Sequence, residues 1–151
     1  ETYPWTAMYN MIFYANTVIE GVMEARADVT TDSREQLLAE AYCLRAFVHF
    51  DLINLYAKWY DPATAATDKA VPLSLKIDIG QSFIPTTVEK VYEQVFADLQ
   101  EAEKYMQVEQ QTGAYLYRFS KKALKAFQAR VYLYHQDWKG NVKHHQHAQC
   151  L

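Results

Sequence analysis

The chain has 151 residues, 50% of them hydrophobic and 15% aromatic, with a formal net charge of -3. That is enough apolar side chain to bury a core as one domain, whereas 4 Gly and 4 Pro are too few for a turn-rich all-β fold. The small negative charge gives no general attraction to nucleic acid or anionic lipid, and the two cysteines, Cys43 and Cys150, supply neither a disulfide framework nor a thiolate cluster.

Pro4 suits a first helical turn, where its missing N–H would have had no partner. From 5 to about 27 the apolar residues Met8, Ile12, Ala15, Val18, Ile19, Val22 and Met23 keep a helical period. Asn16 interrupts that stripe, and a short amide in mid-helix is expected to bond to a neighbouring helix or loop. The polar stretch 28–33 has the length of a connection between antiparallel helices. It ends in two overlapping capping boxes, Asp32 with Glu35 and Ser33 with Gln36, and either satisfies free N–H groups of the next helix.

That next helix, 35–59, organises the chain. It lacks Gly and Pro, and Leu37, Ala41, Leu44, Val48, Leu52 and Leu55 recur at spacings of three and four as one apolar stripe. Leu38, Phe47, Phe50, Ile53 and Tyr56 widen it, so the helix needs neighbours on at least two sides. Arg45 is expected to lay its stem over apolar surface, with its head in water or paired. Over 60–85, Pro62, Pro72, Gly80 and Pro85 exclude a long helix. Residues 71–75 are expected to be briefly extended, and a connection this long is expected to pack over a helix end or line a site.

Thr86 with Glu89 reads as the capping box of a third helix, whose buried side is Val88, Val91, Tyr92, Val95, Leu99, Ala102 and Met106. After a polar break at 107–119, Ser120 caps a fourth helix running to His135 or Gln136. It is expected to bury Ala123, Leu124, Phe127, Val131 and Tyr134, and the small residues Ala123, Ala126 and Ala129 permit a partner helix to come close. A turn at 137–140 and the start of a fifth helix at 141–151 follow. Two antiparallel hairpins, 5–59 and 86–136, thus stand in tandem. This is an all-α pattern that favours a stacked, tetratricopeptide-like α-α superhelix over a closed four-helix bundle.

Three larger patterns carry a resemblance. They are Glu40, Ala41, Leu44, Arg45, Ala46, Phe50, Asp51, Leu52, Leu55 and Tyr56 on one helix; Val71, Pro72 and Leu73; and Val91, Tyr92, Val95, Asp98 and Leu99 on the next. With Tyr9, Asn10, Ile12, Ala15 and Asn16 before them and Ala123, Ala126, Ala129, Arg130, Val131, Tyr132 and Leu133 after, this order resembles the SusD/RagB family of nutrient-binding outer-membrane lipoproteins of Bacteroidota. Family members run to several hundred residues, so residues 1–151 resemble their N-terminal, tetratricopeptide-like part. The resemblance implies a surface-exposed, lipid-anchored binding subunit, not an enzyme. It captures glycan or another nutrient and hands it to a SusC-type TonB-dependent transporter. The family's lipidated cysteine precedes the region that matches, so neither Cys43 nor Cys150 is expected to be the anchor. A tetratricopeptide-like scaffold gripping a protein partner is the other reading.

The chemistry legible in the residues agrees. Glu20 and Glu24, Glu89 and Glu93, and Asp98 and Glu101 stand a helical turn apart, as solvent-facing charges routinely do. There is no phosphate loop, metalloprotease motif or nucleophile elbow, and no cofactor is implied. His144, His145, His147 and Cys150 are the one dense set of soft ligands and read as a solvated tail. Arg118, Lys121, Lys122 and Lys125 sit at a helix start, where the macrodipole disfavours cations. That placement implies acidic neighbours elsewhere in the full protein or a partner. Sugar recognition wants aromatic faces beside amides or carboxylates, which three places offer: Trp5 with Tyr9 and Asn10; Trp59 with Tyr60 and Asp61; and Tyr115 with Tyr117. No apolar run of about 18 residues and no basic leader occurs, so nothing in the sequence is expected to span a membrane or direct export. If the stack stops at this repeat, Phe127, Val131 and Tyr134 are expected to lack any further partner that a complete next hairpin would provide.

Overall fold

The apolar periodicity is realised as four α-helices in a computed structural model that describes residues 3–26, 33–78, 80 and 83–137. They are α1 (Tyr3–Gly21), α2 (Arg34–Tyr56), α3 (Val88–Tyr105) and α4 (Lys121–Tyr134), with a 3-10 turn at Gly113–Tyr115. The helix α2 lies between α1 and α3, and α4 closes over α2 and α3. Two antiparallel hairpins therefore stack with α2 against α3, the tandem arrangement expected of a tetratricopeptide-like fold. Its core joins Ile12 of α1 to Cys43, Ala46 and Ile53 of α2, Val91, Val95 and Leu99 of α3, and Leu124 and Val131 of α4. None of the helices in the described residues is long and apolar enough to cross a membrane.

Helix ends differ from expectation for local reasons. The first helix stops at Gly21 rather than 27, because Gly costs about 1 kcal/mol against Ala inside a helix. Turns at 22–25 follow it, and Arg34 Nη1 donates to the Met23 and Ala25 carbonyls at 2.9 and 3.0 Å, covering acceptors that a helix end leaves open. Ser33 caps α2, its hydroxyl accepting from Gln36 N at 3.1 Å; Asp32 lies outside the described residues. The far end of α2 is Tyr56, not Trp59: Ala57 is extended, and Lys58 is drawn to Asp68 at 2.6 Å. Thr87 rather than Thr86 caps α3. The first amides of α3 are met by the preceding loop, with Val88 N and Glu89 N donating to the Asp68 and Ala65 carbonyls, each at 3.0 Å. Ser120 caps α4 as expected, and Gln136, at φ 60°, ends it in the left-handed region with its amide on the Tyr60 carbonyl at 2.8 Å. Residues 71–75 form no strand; an isolated bridge pairs Lys69 with Thr87.

Burial corrects several side chains. Leu52 and Ile53 are sealed, but Leu55 is 66% exposed and Tyr56 48%, because the buried arc of α2 is centred on Leu38, Ala46, His49 and Ile53 rather than on the Leu37–Leu44–Leu55 line. That line forms one margin of the arc. Val18 of α1 is likewise open. On α4, Ala123 and Ala126 face out, although Ala123 was expected to be buried; Phe127 and Val131 are buried, as expected, and Tyr134 is half-exposed. The fifth-helix expectation at 141–151 lies outside the described residues.

A polar network runs through this apolar stack. Arg45 Nε and Nη2 donate to the two oxygens of Asp98 on α3 at 2.8 and 2.6 Å. Its Nη1 donates to Asn16 Oδ1 on α1 at 2.9 Å and to the Leu75 carbonyl at 3.2 Å. Asn16 Nδ2 in turn donates to the Ser74 and Lys76 carbonyls. Arg45, Asp98 and Asn16 are all buried. The pair Asp98 and Glu101 is thus not a solvent-facing acid pair: burial pushes the Asp98 carboxyl up, and the bonds from Arg45 and Gln94 act against that rise. Beside them His49, fully buried, keeps Nδ1 at 3.0 Å from the Arg45 carbonyl while Nε2 faces the Ser74 amide at 3.5 Å. This pattern suits the neutral ring with its proton on Nδ1.

Two outcomes follow from the network. Asp98→Ala leaves a buried guanidinium unpaired and is expected to cost about 3–5 kcal/mol in urea unfolding. The double replacement Arg45→Met with Asp98→Leu recovers most of that; a loss below about 1 kcal/mol for Asp98→Ala would contradict the network. Burial lowers the His49 pKa from 6.5 to about 4. Between those values the unfolded chain binds a proton that the folded chain refuses, so stability falls as pH drops, by roughly 3 kcal/mol in all. Stability measured from pH 7 to pH 4 should lose that component of its slope in His49→Gln.

Candidate functional site

Most of the rings in the three aromatic places named from the sequence are engaged in packing. Tyr9 is buried, its hydroxyl donates to the Pro72 carbonyl at 2.7 Å, and burial holds its phenol well above the ordinary value. Trp5 packs on it at 5.0 Å between ring centres and meets Tyr56 edge-on at 4.9 Å, while Phe83 meets Tyr9 at 5.1 Å. Asn10 faces outward. This aromatic run marks the end of the α1–α2 hairpin where α1 begins. Tyr60 turns instead toward α3 and α4, 5.2 Å from Tyr92 and 4.0 Å from His135. Asp61 accepts from Ala63 N at 2.9 Å and so starts the turn that docks on α3. Trp59 is left 84% exposed.

Tyr115 and Tyr117 belong to the opposite end. Gly113, at φ 59°, lets the chain reverse, and the Arg118 guanidinium stands 5.8 Å over the Tyr115 ring. Tyr117 forms the rim of a groove of about 770 Å³. Its walls are Tyr14, Val18 and Val22 from α1 and the turn after it, Leu37, Glu40 and Leu44 from α2, and Tyr117, Arg118 and Phe119. Apart from Tyr117 and Arg118, none of these lining residues was singled out from the sequence as part of a site. The signal was present in the apolar stripe of α2, whose Leu37 and Leu44 line the groove, Leu44 while also packing against the core.

The polar atoms of the groove are matched to one another. Arg118 donates from Nε to Glu40 Oε2 at 3.0 Å and from Nη2 to Oε1 at 2.9 Å, with the two side chains 15% and 16% exposed. Gln36 Nε2 adds a third donor to Glu40 at 2.8 Å. Gln36 also holds the 107–120 segment: its Oε1 accepts from Gln107 N and Val108 N at 2.9 and 3.0 Å. The residue read as half of a capping box thus serves as a clamp between α2 and the loop that shapes the groove.

The basic patch finds its acids within the chain, not elsewhere. Arg118 pairs with Glu40, Lys121 with Glu109, and Lys125 with Glu103, while Lys122 donates to Gln110. Of the carboxylates paired by spacing, Asp98 is committed to Arg45 and Glu20 accepts from Ile77 N at 2.9 Å. Among the described residues no group of three or more His, Cys, Asp or Glu is placed to hold a metal ion. His144, His145, His147 and Cys150 lie outside those residues. Cys43 is a buried thiol whose pKa burial pushes up, unlike that of a reactive thiolate.

Stacked antiparallel hairpins with an apolar groove along one side define a helical-repeat framework. Residues 1–133 match the SusD-like family described as starch-binding and associating with the outer membrane, and the chain belongs to that family. It is 32% identical over 143 residues to a SusD-like protein of Formosa agariphila, a match that covers 92% of this chain and 24% of that protein. A SusD superfamily protein from Bacteroides thetaiotaomicron superposes with a TM-score of 0.84 at 22% identity, over 96% of this chain and 31% of the other. A laminarin-binding SusD-like protein superposes with a TM-score of 0.78 at 24% identity, over 95% and 29%. The chain therefore spans about a quarter of the length of the curated relative and under a third of these two structures.

Replacing Gln36 by Leu removes the acceptor for two loop amides and a donor to Glu40. Unsatisfied buried groups cost about 1–3 kcal/mol each, so unfolding by urea should show a loss of roughly 2–4 kcal/mol. Exchange of the Gln107 and Val108 amides should also quicken. Unchanged protection of those two amides would contradict the clamp.

Proposed function

We propose that residues 1–151 are the N-terminal helical part of a longer, non-catalytic binding protein of the outer membrane. That protein takes up a glycan or related nutrient and passes it to a SusC-type TonB-dependent transporter. The observation that carries this reading is the family match across residues 1–133. It is supported by the helical stack shared with larger relatives and by the commitment of the buried ionisable groups to packing rather than to a cleft. In this reading the anchor is a lipidated residue outside residues 1–151, and the helices are a frame on which a binding platform from the rest of the protein is mounted. Among the aromatic residues named from the sequence, Trp59, 84% exposed, keeps a face open for an apolar sugar surface. It stands at the edge of the proposed site, while Tyr9 and Tyr60 serve packing.

Titration calorimetry with neutral and acidic glycans, laminarin and starch among them, tests the reading on the full-length protein beside residues 1–151 alone. The expected result is binding by the full-length protein, little or no heat from the helical part, and no release of reducing sugar by either. The full-length protein should also co-purify with a TonB-dependent transporter. Micromolar binding by residues 1–151, abolished by Trp5→Ala or Trp59→Ala, would overturn the division between frame and platform.

A further inference from the structure

The groove between α1, α2 and 117–119 is an apolar feature that the described residues leave open. Its floor comes from Leu37 and Leu44, at the margin of the α2 arc, and from Val18 of α1. Both margins are apolar where a solvent-facing helix surface would be polar, and neither has a counterpart among the described residues. The rim rings stand open, Tyr14 66% and Tyr117 81% exposed.

Two observations say what kind of occupant fits. Below the two rim tyrosines the polar groups of the groove are already engaged: Glu40 takes three hydrogen bonds from Arg118 and Gln36, and the Thr17 hydroxyl donates within α1 to the Phe13 carbonyl at 2.9 Å. A hydroxyl-rich ligand would lose its hydration there without finding replacement partners, whereas apolar side chains on one face of a peptide segment lose nothing. The second observation is length. The matching region is 24% of the curated relative and 31% of a solved structure of the same fold, so a full-length protein on that plan carries more than twice as much chain again to supply such a segment.

We infer that this groove is an intramolecular seat, filled in the full-length protein by an apolar segment of the same polypeptide lying outside residues 1–151. The inference rests on the reading of the chain as part of a longer protein. In the filled state Leu37, Leu44 and Val18 form core between the helical frame and the rest of the protein, and the Glu40–Arg118 pair is closed off from water. The groove then fixes how the frame carries the binding platform and is not itself the place where nutrient binds.

The test uses the full-length protein with Tyr14→Cys or Tyr117→Cys, two positions open in the helical part, and Lys90→Cys as an exposed reference. Maleimide labelling under native conditions is read peptide by peptide, after thermal melts show that each variant folds. The seat predicts labelling at Tyr14→Cys and Tyr117→Cys at least about tenfold slower than at Lys90→Cys. A photo-crosslinking residue at position 117 should then join to a peptide of the same chain outside 1–151. Labelling as fast as the reference, protection that appears only with added glycan, or crosslinks only to a second copy or to the transporter would each overturn the seat. The underlying reading fails separately: a reading frame that ends at Leu151 would remove the longer protein itself.

Discussion

The arrangement depends on one ion pair placed where water does not reach. Arg45 and Asp98 are 6% and 1% exposed, and an isolated ion at such depth costs several kcal/mol. Each is therefore held where the other is, in bidentate geometry that a shift of α2 along α3 by one residue would break. The guanidinium has donors to spare, and it spends them on Asn16 of α1 and on the Leu75 carbonyl. One side chain thus relates three helices and an irregular segment. Apolar packing of the same volume often gives equal net stability, so what the pair supplies is a single arrangement rather than a surplus of free energy.

That arrangement explains why a segment rich in Pro can be buried at all. Backbone carbonyls away from water need donors, and the 72–76 stretch finds them in Tyr9, Asn16 and Arg45. His49 offers an acceptor to the Ser74 amide in return. The segment works as a strap across the α1–α2 hairpin, and its earlier turn at 61–68 supplies the carbonyls that open α3. Connection and helices are therefore one structure over 65–75, where Ala65, Val71 and Ser74 are buried.

Much of this was legible because helices announce themselves by period and cap. The buried side of α3 was read residue by residue, and Ser33 and Ser120 cap where their hydroxyls suggested. What escaped were features that depend on which neighbour arrives. Periodicity located an apolar line on α2 through Leu37, Leu44 and Leu55, but an arc apolar over most of its circumference does not say where its centre lies. Gln36 looked local because its hydroxyl-bearing neighbour was adjacent, whereas its partners at 107 and 108 are some 70 residues away in sequence. Asp98 looked like surface because charged pairs a turn apart usually are, and only the approach of α2 gives it Arg45. The same limit applies to the basic patch, whose acids sit on other elements. For the candidate site, single aromatic residues were visible but not their company: Trp59 stands open, Tyr60 beside it is packed away, and the groove beside Tyr117 exists only once α1 and α2 meet.

A family frame built in this way separates two tasks. The polar network and core hold the stack, while the uncovered apolar margin and the open rings face outward, where the rest of a longer protein would meet them. The central claim is that the buried network makes the strap and the three helices one cooperative unit. Native-state hydrogen exchange at the Ser74 amide, compared across denaturant with the amides of Leu52 and Val95, tests it most directly. The account predicts that Ser74, though in irregular chain, exchanges only through the global opening that also exposes Leu52 and Val95. Exchange of Ser74 by a separate local opening, several kcal/mol easier than that of the two helical amides, would contradict it.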